Sequence, residues 1–259
     1  MKTLWTVLLA MVLIFAQAII GSTLPLLFLS RTSPLLSLLG PLGITLTALL
    51  FVYLIRRFLD RRPWSSLGWR KPWHIVLGVF AGALPILAAC GMAMAVGAGT
   101  WVSVDASVLL GALPLGVVVL LLNQAFPEEL LWRGHVFDSL SQRLSPRAVL
   151  IITSVAFGSV HVFSQGSGTT IGEKLLYALM ATALGFAAGA ARVRGGGLWM
   201  AAGVHLGFHL GMRSVPMKPE SFSILLVLMA IGLALAGAVL LRGQGITETN
   251  PRASDQAAA

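Results

Sequence analysis

Eight apolar runs, most of them close to the length of a membrane-spanning helix, punctuate the chain at residues 4–21, 35–53, 74–96, 108–131, 147–163, 175–191, 198–211 and 222–241. A helix needs about 20 mostly apolar residues to cross a bilayer. The runs therefore predict an all-α fold, a polytopic membrane helical bundle of about eight transmembrane helices. Composition agrees, since 57% of residues are hydrophobic and 10% charged, a balance no ordinary soluble domain shows. Residues 1–241 read as a single transmembrane helical domain, because no soluble domain fits between the runs. Residues 242–259 read as a polar, disordered cytoplasmic tail. The seventh run is the shortest and the weakest.

The first run has a second reading. Lys2, the apolar stretch and Ala16-Gln17-Ala18 together resemble a secretory signal with a small-residue cleavage site. Against cleavage, the apolar stretch continues through Ile19 and Ile20 to spanning length, as a retained helix would.

Orientation follows from the Lys and Arg residues between runs. One side collects Lys2, Arg56, Arg57, Arg61, Arg62, Arg70, Lys71, Arg133, Arg143, Arg147, Arg192, Arg194, Arg242 and Arg252; the other holds Arg31, Lys174, Arg213 and Lys218. Fourteen against four places both termini in the cytoplasm of a host such as a bacterium with this chain in its inner membrane. The net charge of +9 is spread between spans with no aromatic-interleaved patch, so nucleic acid is not an expected partner. Membrane lipid is. Cys90 is the only cysteine, which excludes a disulfide framework and a cysteine zinc site.

Ionisable groups at membrane depth cost about 2.5–3.5 kcal/mol each on insertion scales, so their presence asks for a function. The fourth run ends in Phe126-Pro127-Glu128-Glu129-Leu130-Leu131-Trp132-Arg133. Glu129 and Arg133, four apart, can pair on one helix face, while Glu128 points about 100° away and stays free. Pro127 leaves the Asn123 carbonyl without its helical partner and predicts a kink. The fifth run carries Phe157 and His161, and the seventh His205 and His209, each pair at i, i+4 on one face. His161 lies about 21 Å along its helix from Arg147. Glu128 reaches a similar depth only if its helix continues through Phe137 and Leu140 to Leu144, so one long helix is expected. His205 falls somewhat shallower, and one cavity could collect all three positions. The bland readings are a structural ion pair for Glu129 and Arg133, packing for Phe157, hydrogen-bonded interior histidines at His74 and His135, and a turn at Gly195-Gly196-Gly197.

The ordered set Glu128-Glu129-x-x-x-Arg133, Phe157-x-x-x-His161 and Gly197-Leu198-Trp199 followed by His205 resembles the CPBP family, the CAAX proteases and bacteriocin-processing proteins also called Abi. The resemblance covers about residues 110–210, and Arg61-Arg62-Pro63-Trp64-Ser65-Ser66-Leu67-Gly68-Trp69 is similar to a polar segment the family carries upstream. One departure stands out, since the family usually has Asn where this chain has His209. The resemblance implies an intramembrane endopeptidase acting on a peptide or protein substrate that is membrane-associated or lipidated. Carried over, Glu128 activates the hydrolytic water with His161 as partner. His205 and position 209 polarise the scissile carbonyl or hold a metal, and Glu129 and Arg133 fix the helices.

His161, His205 and His209, with Glu128 or a water, also make an inventory sufficient for a catalytic zinc. Two other functions compete with the protease: a non-proteolytic scaffold, regulator or bacteriocin-immunity protein of the same family, and a proton-coupled transporter using Glu128 and the histidines as a relay. Against the transporter, Pro127 interrupts one helix and no matched partner interruption is apparent.

Overall fold

The computed structural model describes residues 2–164, 166 and 168–244, except the side chains of residues 106, 108–110 and 112. The chain forms an all-helical bundle. Among the described residues the helices are α1 (Thr3–Thr23), α2 (Leu36–Leu54, prolonged by a π turn Ile55–Leu59), α3 (His74–Ala95), a composite α4, α5 (Pro146–Val160, ending in a 3-10 turn His161–Phe163), α6 (Ile171–Gly195), α7 (Leu198–Ser214) and α8 (Phe222–Leu241). The composite α4 joins Ala106–Leu120, Phe126–Glu129 and Phe137–Leu140 through two π turns, Leu121–Ala125 and Leu130–Val136. It is the long helix expected from sequence, ending at Leu140 rather than Leu144. The expectation for the tail falls largely on residues 245–259, which lie outside the described residues.

Seven of the eight helices are long and apolar enough to cross a membrane; α7, with 17 residues, is the exception. Its sequence weakness and its position have one cause. From Leu198 to Phe208 nearly every side chain except Trp199 is buried within the bundle, so α7 needs no lipid-facing side chains. It lies against α3 at backbone contact distance, where a Cβ added at Gly203 would run into the Ile75 carbonyl and one at Gly207 into that of Val79. Small residues permit this approach, which is how helices pack where no hydrophobic effect drives them together.

Helix ends obey local chemistry. Ser145 caps α5 with Pro146 at its first position, and Thr170 and Glu173 form a reciprocal capping box on α6. Gly196, at φ +62°, ends α6 in the left-handed conformation that glycine adopts without strain. On the side of the described chain ends, Leu198 N–H donates to Gly68 O (2.7 Å) and Arg194 to Arg242 O (3.1 Å). On the opposite side a small antiparallel sheet pairs β1 (Gly99–Trp101) with β2 (Met217–Pro219).

The side of the chain ends also holds a polar clasp. Asp138, late in α4, accepts from Arg56 (3.0 Å), Ser66 (2.8 Å) and both donor atoms of Arg62 (2.8 and 2.9 Å). Arg56 also donates to Ser66 and to Pro63 O. The segment between α2 and α3 is thereby tied to α4, and the Trp64–Trp69 stretch continues the tie. Trp69 packs on Phe126 and Trp199, and Trp199 Nε1 donates to Trp69 O at 3.0 Å. Among the described residues His135 does not meet the hydrogen-bonded expectation: its Nε2 faces Asp60 at 3.7 Å and its Nδ1 is buried without a hydrogen-bond partner, as is Nδ1 of His74.

Candidate active site

The acidic pair occupies the single α-helical turn between the two π turns of α4. Phe126 N–H reaches back five residues to Leu121 O, and Phe137 N–H to Trp132 O. Pro127 has no N–H to give, and the helix takes up the resulting mismatch in the π turn just before it. The disruption expected at Pro127 thus appears as a local widening that sets the direction of Glu128 and Glu129.

Glu129 points into the bundle, and it and Arg133 have 0% exposed side chains. Arg133 Nη1 donates to Glu129 Oε1 at 2.9 Å, and Nη2 to the Gly185 carbonyl at 2.7 Å. The absence of a side chain at Gly185 makes room for that guanidinium, since an added Cβ would stand 3.1 Å from Nη2. Phe157, fully buried, places its ring 4.6 Å from the Arg133 guanidinium carbon, a cation–π contact in a desolvated setting. The same ring touches Trp132, His161 and His205, so Phe157 is a hub rather than filler. His205 Nδ1 lies 3.1 Å from Glu129 Oε1. Against a carboxylate already paired with Arg133, that nitrogen is the donor and Nε2 is the free acceptor of the neutral ring. Arg192 Nε closes the network by donating to the Arg133 carbonyl at 3.0 Å.

Glu128 points the other way, into a cavity of about 410 Å³ that His161, His205 and His209 also line. Its Oε2 stands 4.0 Å from His161 Nε2 and has no hydrogen-bond partner among the described residues. His161 Nδ1 donates to Phe157 O at 2.7 Å, because a carbonyl can only accept. Its Nε2 is therefore the acceptor of the neutral ring and faces the carboxylate. His209 stacks on His205, with ring centroids 5.0 Å apart and planes at 22°, and its Nε2 is buried without a hydrogen-bond partner among the described residues.

All four sequence-predicted catalytic residues, Glu128, His161, His205 and His209, thus share one cavity. Glu129, Arg133 and Phe157 lie behind it. Sequence reading missed three polar liners, Gln124, Ser164 and Tyr177. Gln124 was findable, four residues before Glu128 on the same face; Tyr177, whose ring lies 6.3 Å from that of His161, has no local signature.

The zinc inventory needs correction. Among the described residues no group of three or more His, Cys, Asp or Glu is arranged to hold a metal ion. His205 and His209 stack with ring centroids 5.0 Å apart and planes at 22°, and the site's histidines and carboxylates are not gathered as a set of three around one point. These residues do not fit a resident metal, and no step below runs through one.

Carboxylate and imidazole groups enclosed by a helical bundle mark a polytopic membrane protein with reactive groups at membrane depth. The family follows from comparison. Residues 110–211, somewhat under half of the chain, match the family model described as Type II CAAX prenyl endopeptidase Rce1-like, so this segment is similar to that family, as its motifs indicate. The match contains every site residue named above from α4 to α7 and stops short of α1, α2, α3 and α8. A search of curated proteins gives no match. The family is one of proteases, which supports peptide-bond hydrolysis as the general activity of the chain.

Proposed function

We propose that the chain is an intramembrane endopeptidase in which Glu128 activates a water for attack on a peptide carbonyl. The observation that carries this reading is the 4.0 Å separation of Glu128 Oε2 and His161 Nε2 inside the cavity. It is too long for a direct hydrogen bond, and two acceptors roughly 4–4.5 Å apart suit the two O–H bonds of one bridging water. Such a water directs its lone pairs at the carbonyl carbon. As its oxygen bonds to that carbon, one proton passes to Glu128 and the carbonyl becomes an oxyanion. His209 Nε2–H is the donor we assign to the oxyanion, because His205 has its Nδ1 proton committed to Glu129. Collapse then breaks the C–N bond, and Glu128 returns its proton to the leaving amine.

Quantitative profiling of protein N-termini in membranes of cells expressing the wild type or Glu128→Gln tests this. New termini should appear with the wild type and vanish with the variant. Termini unchanged by Glu128→Gln would sink the mechanism and favour the scaffold reading. We also infer, from the fourteen-to-four distribution of Lys and Arg, that the side of the termini is cytoplasmic. Cysteine labelling in a Cys90→Ala background checks it, and a tail cysteine labelled only from the outside would reverse the orientation.

A further inference from the structure

The first π turn of α4 leaves one carbonyl to account for. Phe126 N–H reaches past Leu122 to Leu121 O. In the same five-residue register the donor due at Leu122 O belongs to residue 127, and that residue is Pro127, which has no N–H. Leu122 lies within a span, at a depth where no bulk water satisfies its carbonyl. The partner comes from another helix: Thr45 Oγ1, on α2, donates to Leu122 O at 2.5 Å.

That bond departs from what a threonine inside a helix ordinarily does. Thr47, two residues on, donates to Gly43 O in its own helix, as Thr153 does to Val149 O and Thr182 to Ala178 O. Thr45, 5% exposed, instead reaches a residue 77 positions along the chain. Its helix is braced beside it by α1, since a Cβ added at Gly21 would run into the Ile44 backbone and one at Gly43 into Gly21 O. The two helices therefore cross at backbone contact next to Thr45, which gives the hydroxyl a rigid mount.

Two carbonyls compete for Phe126 N–H. If Leu122 O were unpaired, a regular α-helical bond from Phe126 N–H would satisfy it, and making that bond would close the π turn and rotate Glu128 by up to about 100° relative to the helix before it. With Thr45 on Leu122 O, the wider register leaves no carbonyl of this pair unpaired. We propose, resting on the protease reading of the cavity, that Thr45 is a positioning residue of the active site: its hydroxyl stands in for the N–H that Pro127 lacks, holds the first π turn open and so keeps Glu128 facing His161. Helix α2 lies outside residues 110–211, so the matched segment takes part of its site geometry from a helix that it does not contain.

The test compares Thr45→Val, which keeps the shape of the side chain and removes the hydroxyl, with Thr45→Ser, which keeps the hydroxyl. Each full-length variant is expressed in cells, and the membrane-protein N-termini that depend on Glu128 are quantified per folded molecule. Thr45→Val should yield about 10–100-fold fewer of them, and Thr45→Ser should stay within about threefold of wild type. The melting temperature of Thr45→Val in detergent should fall by less than that of Arg133→Ala. Wild-type yield from Thr45→Val, loss of its folded state, or an equal loss of yield in Thr45→Ser would overturn the inference and leave the protease reading intact. If no termini depend on Glu128 at all, the protease reading falls and takes the inference with it. The link to Pro127 is read from melting alone. In Pro127→Ala, residue 127 brings its own N–H to Leu122 O, so adding Thr45→Val should cost about half or less of the drop in melting temperature that it costs beside Pro127. An equal drop in both backgrounds, or a Pro127→Ala protein that fails to fold, would overturn the pairing of Thr45 with Pro127.

Discussion

Glu128 and Glu129 are consecutive in α4, yet one lines a cavity and faces His161 while the other is sealed among Arg133, His205 and Phe157. A helix turns about 100° per residue, and that single step separates a group available to a substrate from a group committed to the scaffold. The comparison extends to the histidines: His205 leans on the scaffold carboxylate, while His161 faces the reactive one. A membrane bundle can thus hold reactive groups beside ionised structural ones, provided that the structural charge is neutralised by fixed partners first.

Substitutions at four positions sharpen or break this division. The largest effect is expected from Glu128→Gln, which keeps the side chain's volume and removes the base: cleavage should fall by about 10²–10⁴-fold with thermal unfolding in detergent unchanged. A collapse of the melting transition would place Glu128 on the scaffold side after all. Next is Arg133→Ala, which strands Glu129 without its counter-charge and should cost about 3–5 kcal/mol, read as lost folded yield and a lowered melting temperature. Full stability with lost activity would instead move the ion pair into the chemistry.

Asp138→Asn probes a third region, the clasp on the side of the chain ends. It should destabilise by about 1–3 kcal/mol, because Arg56 and Arg62 lose a charged acceptor, and specific activity per folded molecule should not change. Smallest is His209→Asn, where an amide N–H replaces the imidazole as oxyanion donor: activity should stay within about tenfold of wild type, whereas His209→Ala should lose about 10²–10³-fold. Equal activities for the two variants would remove His209 from the oxyanion site.

What could be read before folding was whatever repeats at helical spacing. The Glu129–Arg133 pair, the outward turn of Glu128 and the i, i+4 histidines follow from 3.6 residues per turn. The Gly185 carbonyl and the Phe157 ring could not be read, because Arg133 meets them across 52 and 24 residues of chain and only packing brings them together. Arg56 and Arg62 read as topology charges; that Asp138 holds both depends on contacts 82 and 76 residues apart. The start of α6, by contrast, was legible and missed, since Thr170-x-x-Glu173 is a capping box written in the sequence. The seventh run looked weakest because glycines and histidines dilute its hydropathy. The same residues let it lie at the centre.

The two π turns of α4 have a consequence for how this protein tolerates changes in length. Each takes up one residue beyond what a regular helix would use, so the acidic turn sits between two phase shifts. Deleting any one residue from 121–125 would let the first turn relax to regular α-helix and rotate the part of the helix upstream of the deletion by about 100° relative to Glu128. Substitutions in this stretch exchange one side chain for another, but a deletion changes which face of the helix the carboxylate shares, so the spacing between Leu121 and Glu128 is under tighter constraint than the identities of the residues that fill it.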